Sequence, residues 1–495
     1  MPTTSTAARR DVTALVVGCG FGGIAMAAHL TRQGMADFVI VERGPDVGGT
    51  WRDNTYPGAA CDVPSHLYSL SFAPNPDWSS AFSPQTEIQS YLRSVARSTG
   101  VYDKCVFGAE LTSARWDDAT QRWTVRTAAG DFRARFLISA AGPLSDPAMP
   151  ALPGLERFAG TTFHSARWDH GHDLSGERVA VIGTGASAIQ FIPQIAERAG
   201  QILVFQRTAP WVVPRRDRTF GPFERWIYRH VPGAQRLARA AIYLGREGYV
   251  VLFAKAPTLV RFPQRMARHH LLTQVADPDL RRRLTPSYAF GCKRVLISSD
   301  YYPTLTRDDV ELVTDAITEV RAHSIVTADG RERAVDTVVL ATGFRVTDVA
   351  IAARIVNGNG TSLAAHWRNG MSALHGSTIA GFPNLFLVIG PNTGLGHTSM
   401  VVMIEANVRY IVDGIRQILA GGLSSVQPRQ SVVAAYNAGV QRKLARSVWN
   451  AGGCRSWYLD ARGHNTTLWP DFTFRFRRQT RRFDLDDYET VPSPR

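Results

Sequence analysis

Thr13-Ala-Leu-Val-Val-Gly18-Cys-Gly20-Phe-Gly-Gly23 is the stretch whose reading decides the fold. A run of apolar β-formers ends on a glycine, and a Gly-x-Gly-x-x-Gly spacing follows at once. From Gly22 to Gln33 the pattern is helical, and a second apolar run, Phe38-Val-Ile-Val41, closes on Glu42. Strand, glycine turn, helix and strand within ~30 residues predict a βαβ unit and a parallel sheet. The glycines permit a tight turn and let backbone N–H groups approach a pyrophosphate at the helix N-terminus, where the dipole favours anions. Glu42, 24 residues after Gly18, is placed to accept from ribose hydroxyls.

The unit recurs. Arg178-Val-Ala-Val-Ile182 leads into Gly183-Thr-Gly185-Ala-Ser-Ala188, a helical segment, and Ile202-Leu-Val-Phe205. Ala188 stands where the motif tolerates alanine for the third glycine. At 24 residues after Gly183 the chain carries Arg207 where the first unit has an acid. A carboxylate there suits a free 2′-hydroxyl and repels a 2′-phosphate; an arginine does the reverse through charge-assisted hydrogen bonds. The first site is therefore expected to take FAD or NAD, and the second NADPH. Two dinucleotide sites in one chain imply electron transfer between cofactors, a flavin and a nicotinamide being the economical pair.

Between the two units lie hairpin-like strands (Arg122 to Arg126, Phe132 to Ser139) and a Pro- and Gly-rich linker, Gly142 to Pro153, which marks a domain boundary. From Phe220 to about Pro286, Trp226, Tyr228, Leu237, Tyr243, Tyr249 and Phe253 recur among arginines in helix-length segments. This region reads as a helical insertion, a packed layer over the active site, with a membrane-binding amphipathic surface as the second reading. Strand patterns return at Thr337-Val-Val-Leu340 and Leu385-Phe-Leu-Val-Ile389. The predicted fold class is α/β, with two Rossmann-like, three-layer ββα dinucleotide-binding domains and a helical insertion.

Composition narrows the partners. The length of 495 residues allows about three domains. The formal charge is +14, but the arginines are spread out and no nucleic-acid motif accompanies them, so no nucleic-acid partner is expected. An anionic dinucleotide, or weak peripheral contact with an anionic membrane, accounts for basic charge equally well. No uncharged apolar run of roughly 18 residues exists, so no transmembrane segment is predicted. The five cysteines, Cys19, Cys61, Cys105, Cys292 and Cys454, are scattered and without a Cys-x-x-Cys pair. That spacing predicts no disulfide framework, no zinc or other metal site, and a reducing, cytoplasmic setting. The opening MPTTSTAARRD has no apolar run and reads as a short disordered lead, not a secretory signal.

Phe158-Ala-Gly160-Thr-Thr-Phe-His164-Ser-Ala-Arg-Trp168-Asp169 matches a Phe-x-Gly-x-x-x-His-x-x-x-Trp pattern just before the second glycine turn. It resembles the fingerprint of the Baeyer–Villiger monooxygenases, flavoproteins related to the flavin-containing monooxygenases, and the resemblance runs from Val12 to Tyr488. Gly48-Gly-Thr-Trp51, Tyr56-Pro-Gly58 and Cys61-Asp-Val-Pro64 resemble that family's flavin-contacting loop. Lys293-Arg294 matches a pair in which the lysine meets the NADP 2′-phosphate and the arginine reaches the flavin. Ala341-Thr-Gly343, Gly390-Pro391-Asn392, Ser456-Trp457-Tyr458 and Leu468-Trp-Pro470 are similar to later family segments.

The resemblance implies an FAD- and NADPH-dependent enzyme that inserts one oxygen atom from O2 into a ketone, through a flavin peroxide, giving an ester or lactone. Oxidation of nitrogen or sulfur on the same scaffold is the alternative. Residues 1–149 and 346–495 are expected to hold FAD, 150–219 and 290–345 NADPH, with 220–289 as the insertion. Arg294 and Asp62 are the expected catalytic residues, since a guanidinium is always protonated and can stabilise an anionic adduct, and a carboxylate can orient it. FAD contacts are expected from Gly18, Gly20, Phe21, Gly22, Gly23, Glu42, Arg43, Gly49, Thr50, Trp51, Asp62, Tyr68 and Asn392. NADPH contacts are expected from Gly183, Thr184, Gly185, Ala186, Ser187, Ala188, Arg207, Thr208 and Lys293. His164 better suits a structural role between domains than acid–base chemistry, and Trp168 a packing anchor. A flavin disulfide reductase is disfavoured: Gly-Gly-Thr is followed by Trp51, and Cys61 has no neighbouring cysteine.

Overall fold

Apolar runs without alternation need cover on both faces, which parallel strands between helices provide. Phe38–Val41 and Thr337–Leu340 are buried at every residue. The computed structural model describes residues 10–494; the N-terminal lead read above lies, but for Arg10 and Asp11, outside the described residues.

The first βαβ unit forms as its spacing predicts. Strand Arg10–Val17 runs into helix Phe21–Arg32 and then strand Phe38–Val41, the two strands pairing in parallel with Val17 opposite Val41. They sit in an eight-stranded sheet that also takes Gly130–Ser139 and, late in the chain, Leu385–Leu387. The expected hairpin is the end of a three-stranded antiparallel meander, whose first strand, Leu111–Asp117, the sequence reading did not single out. Helix Met400–Ala420 packs against helix Phe21–Arg32, burying Val401, Val408, Ile411 and Ile415 in the same core as Ile24 and Leu30.

The second sheet is all parallel. Its order places Thr161–His164, Thr337–Leu340, Arg178–Ile182, Gln201–Phe205 and Val310–Val313 side by side. The chain thus leaves the first sheet after Ser139, builds the second, and returns at Ile355–Val356 and Leu385–Leu387.

The insertion is helical: Pro222–His230, Ala234–Glu247, Arg261–Gln274 and Pro278–Arg283. Among the described residues no helix is long and apolar enough to cross a membrane.

One expectation is corrected. Cys292 and Cys454 form a disulfide, 162 residues apart in sequence. Spacing along the chain is a poor guide here because the loop after the insertion folds against the C-terminal segment, where Gly452 lies against Cys292. Cys19, Cys61 and Cys105 are free thiols.

Candidate active site

Gly18 adopts φ +97°, and a Cβ there would lie 2.8 Å from the Ala140 carbonyl oxygen. At Gly23 the clash is harder: a Cβ would lie 1.9 Å from the Gly18 carbonyl oxygen. The first glycine makes the turn and the last lets the helix close on the strand, the two roles the motif requires. Gly20 faces Gly49 across a narrow notch, with a Gly49 Cβ only 3.1 Å from the Gly20 Cα. No acid occupies the first turn of helix Phe21–Arg32, so its N-terminal amides remain available to an anion. This cradle of bare backbone fits a dinucleotide pyrophosphate.

Glu42 is buried at the end of its strand. Its carboxylate accepts from Cys19 N (2.8 Å), Gly44 N (2.8 Å) and Arg52 Nη1 (2.7 Å). Three of roughly four acceptor positions on the ionised group are filled, which leaves one for a ribose hydroxyl. Arg52, not singled out from sequence, lies against Gly44, where a side chain would strike its guanidinium, and also pairs with Asp53 at 2.7 Å. Arg43 turns elsewhere, to Asp146 (3.0 Å) and the Ser145 carbonyl (2.7 Å), tying the linker to the sheet. Trp51 follows Thr50 in a single helical turn and donates Nε1–H to the Tyr68 hydroxyl at 3.0 Å; Phe21 packs edge-on against Tyr68.

At the second turn Gly183 has φ +112°, with a Cβ position 2.5 Å from the Ala341 carbonyl oxygen, so the Ala-Thr-Gly segment forms the floor of the turn. Gly185 faces open space, Ala186 and Ser187 follow, and helix Ala188–Ile195 begins on buried Ala188. Thr184 donates its hydroxyl to the Thr208 carbonyl at 3.4 Å. Arg207 is exposed beyond the second strand. Lys293 is drawn below the usual lysine range, first by burial and then by the charge of Arg207, so the two cations are neighbours. Among the described residues neither is ion-paired to a carboxylate. Two unneutralised cations beside a glycine turn fit a 2′-phosphate.

The loop after Trp51 joins the two halves. Gly58 lies against helix Ala188–Ile195, its Cβ position 2.7 Å from the Gln190 carbonyl oxygen. Tyr56 donates to Gln190 Oε1 (3.0 Å), and Gln190 Nε2 donates to the Ala60 carbonyl (3.0 Å). Asp62 follows at once and meets Arg294 in a two-point pair, Nε to Oδ2 at 2.6 Å and Nη2 to Oδ1 at 2.7 Å. Arg294 keeps 32% of its side chain exposed and Asp62 24%, so the pair is sheltered yet reachable. Burial alone would raise the Asp62 carboxyl; the adjacent guanidinium overcomes this and holds it below the usual range. Asp62 in turn holds Arg294 protonated.

Tyr458, 1% exposed, stands beside this pair, its hydroxyl without a partner among the described residues, and burial pushes its pKa up to about 12, so it remains a donor. Arg246 of the insertion adds a further positive charge near Asp62. Neither Arg246 nor Gln190 was anticipated, because nothing local in their helices marks them. Asn392 sits at φ +56° and donates its amide to the carbonyls of Asn465 (2.8 Å) and Leu468 (3.0 Å); its Oδ1 has no partner among the described residues. His164 is buried on the edge strand of the second sheet and accepts from Ala166 N at 3.0 Å. Trp168 packs on Phe163 and Phe191, and a Cβ on Gly160 would lie 2.1 Å from the Asp336 carbonyl oxygen. The fingerprint braces the second sheet.

The family model described as "Pyridine nucleotide-disulphide oxidoreductase" matches residues 15–221. A "Baeyer-Villiger monooxygenase" of Streptomyces coelicolor is 49% identical over 98% of this chain and 93% of its own length. The chain belongs to the Baeyer–Villiger monooxygenase family. Solved structures agree: oxidised steroid monooxygenase bound to NADP superposes with a TM-score of 0.85 at 31% identity, covering 98% of this chain and 100% of that one. A structure named OTEMO in complex with FAD and NADP superposes with a TM-score of 0.87 at 27% identity, again over 98% and 100%. In this family member the disulfide lies on neither dinucleotide helix, and Cys61 remains a free buried thiol, so the matched disulphide-oxidoreductase description applies to the scaffold alone.

Proposed function

We propose that this chain is an FAD-dependent, NADPH-consuming monooxygenase that converts a ketone, O2, NADPH and a proton into an ester or lactone, NADP+ and water. The carrying observation is the Asp62–Arg294 pair, standing where the loop from the first glycine turn meets the second unit. Bound FAD, reduced by NADPH, supplies the two-electron activation of O2.

The chain's own residues bind, orient and shelter. The Gly18–Gly23 turn with Glu42 holds the FAD pyrophosphate and ribose, and Trp51 and Tyr68 wall the flavin side. Gly49, Thr50 and Asn392 lie on the loops that close over it, and Arg43 anchors the linker behind. The Gly183–Ala188 turn takes the NADPH pyrophosphate, while Arg207, Thr208 and Lys293 receive the 2′-phosphate end. Arg294 has five N–H donors and spends two on Asp62. Three remain for the anionic oxygen that develops when a ketone carbonyl is attacked. Asp62 fixes the plane of the fork. Oxidation of a sulfide builds no such anion, so this pair favours the carbonyl reading over heteroatom oxidation. We place the enzyme in the cytoplasm, where NADPH is regenerated; there the Cys292–Cys454 pair would stand reduced until oxidised.

NADPH oxidation screened over ketones and sulfides, with products identified by mass spectrometry, tests this. An ester or lactone formed by the wild type and lost in Arg294→Ala is the expected result. Sulfoxides or N-oxides alone, unchanged in that variant, would overturn it.

A further inference from the structure

The inward face of the insertion is well satisfied. Phe253, Val260 and Ala267 bury in one cluster with Trp449 and Trp469, and Arg239 reaches down to the carbonyls of His66 and Ser69 at 2.8 Å each. Its outward face is different. Of 17 large hydrophobic side chains exposed among the described residues, 11 fall between Phe223 and Leu272. A tenth of the chain thus carries most of the exposed large hydrophobic side chains among the described residues, which single scattered surface residues do not explain.

The exposure is ordered along the helices. Leu237 (73% exposed) and Leu244 (68%) lie seven residues apart, on one face of helix Ala234–Glu247. Phe223 and Trp226 stack at 6.1 Å on helix Pro222–His230. On helix Arg261–Gln274, Phe262 and Met266 stand exposed beside a stripe of Arg261, Arg265 and Arg268. Residues 221–274 contain nine Lys and Arg against two acids. Glu224 is ion-paired to Arg218 at 2.6 Å, and Glu247 is buried, accepting from Thr473. Arg239 and Arg246 turn inward, and Lys255 and Arg229 pair with Asp471 and Asp77. The exposed sides of these helices therefore offer Arg236, Arg261, Arg265 and Arg268 among the apolar side chains, with both acids of the stretch engaged.

We propose that this face docks the enzyme on an anionic phospholipid surface. Exposed aromatic and aliphatic side chains enter the headgroup boundary, and the arginines meet lipid phosphates and anionic headgroups. Charge selects this occupant over a second copy of the chain. A two-fold interface centred on the stripe of Arg261, Arg265 and Arg268 would set it against its own image. The contact is peripheral, since no described helix can span a bilayer, and it does not depend on the reaction proposed above.

The test uses the purified flavoprotein with vesicles of phosphatidylcholine alone or mixed with phosphatidylglycerol. Sedimentation with the mixed vesicles at low ionic strength, reversed by salt, is expected. Arg261→Glu/Arg265→Glu/Arg268→Glu weakens it by on the order of tenfold or more. Leu237→Ser/Leu244→Ser/Phe223→Ser weakens it as well. Both variants change exposed side chains only, so flavin absorbance and melting temperature stay at wild-type values and report folding. The proposal falls if the protein sediments with neither vesicle, if both variants bind like wild type, or if either variant turns a dimer into a monomer in vesicle-free ultracentrifugation.

Discussion

Arg294 and Asp62, 232 residues apart in sequence, share two parallel hydrogen bonds at 2.6 and 2.7 Å, which leaves three guanidinium N–H groups outside the pair. Arg294→Ala removes the donor for the developing oxyanion, and product formation should fall by about 10²–10³-fold, the usual effect of losing such a donor. NADPH oxidation should continue, with H2O2 appearing in place of ester. Arg294→Lys restores charge but not the fork, and should recover little. Product and peroxide assays on the same samples separate these outcomes.

Asp62 is held ionised, its folded pKa below the unfolded carboxylate value. A depressed acid contributes above its unfolded pKa and loses that contribution as pH falls through the lower folded value. The acid limb of kcat/KM should therefore lie below about pH 4, and Asp62→Asn should lower the rate without moving that limb upward. A limb near neutrality would assign control to another group.

Burial first, and then the charge of neighbouring Arg207, depresses Lys293, and neither cation is ion-paired to a carboxylate among the described residues. Charge-assisted hydrogen bonds of about 1.5–3 kcal/mol each imply that Arg207→Ala or Lys293→Ala should cost roughly 10–100-fold in kcat/KM for NADPH. The value for NADH should hardly change. Steady-state kinetics with both nucleotides decide it.

His66 is wedged between Phe220 and Tyr228, its ring 5.0 and 4.5 Å from theirs, where the first domain meets the insertion. Burial pushes its pKa down to about 4. The sign follows: the folded protein prefers neutral imidazole, so stability is full above about pH 6.5, the unfolded histidine value. It is lost progressively as pH falls toward 4. Melting temperature should decline across that window, less steeply in His66→Phe, which keeps the stacking without the charge. Equal slopes would remove His66 from the account.

Disulfide Cys292–Cys454 ties the loop of Lys293 and Arg294 to the segment of Tyr458. In the oxidised, unfolded protein three of the five cysteines should react with a thiol reagent, and all five after reduction. Cys292→Ser should cost about 2–4 kcal/mol in denaturant unfolding under oxidising conditions, and nothing extra with dithiothreitol present.

Much of the fold was legible because its signals are local. The apolar runs and the glycine spacing of each unit lie within ~30 residues of one another, and both βαβ units formed as read. Strand Leu111–Asp117 escaped because its polar, half-exposed residues break a clear pattern. Arg52 escaped because an arginine one residue after a tryptophan has no spacing that points it back to Glu42. The disulfide was misjudged because sequence separation says nothing about which loops a sheet packing brings together.

By itself the sequence determined the two glycine turns and the α/β plan, since backbone torsion and side-chain volume act over a few residues. The pairing of Asp62 with Arg294 was expected from the family resemblance and its two-point geometry came with the fold; only the tertiary structure decided that Gln190 receives the loop from the first unit and that Cys292 finds Cys454. Those contacts join chain segments 130 or more positions apart, and their geometry comes from how two sheets and an inserted helical layer pack, a collective property that no short stretch carries.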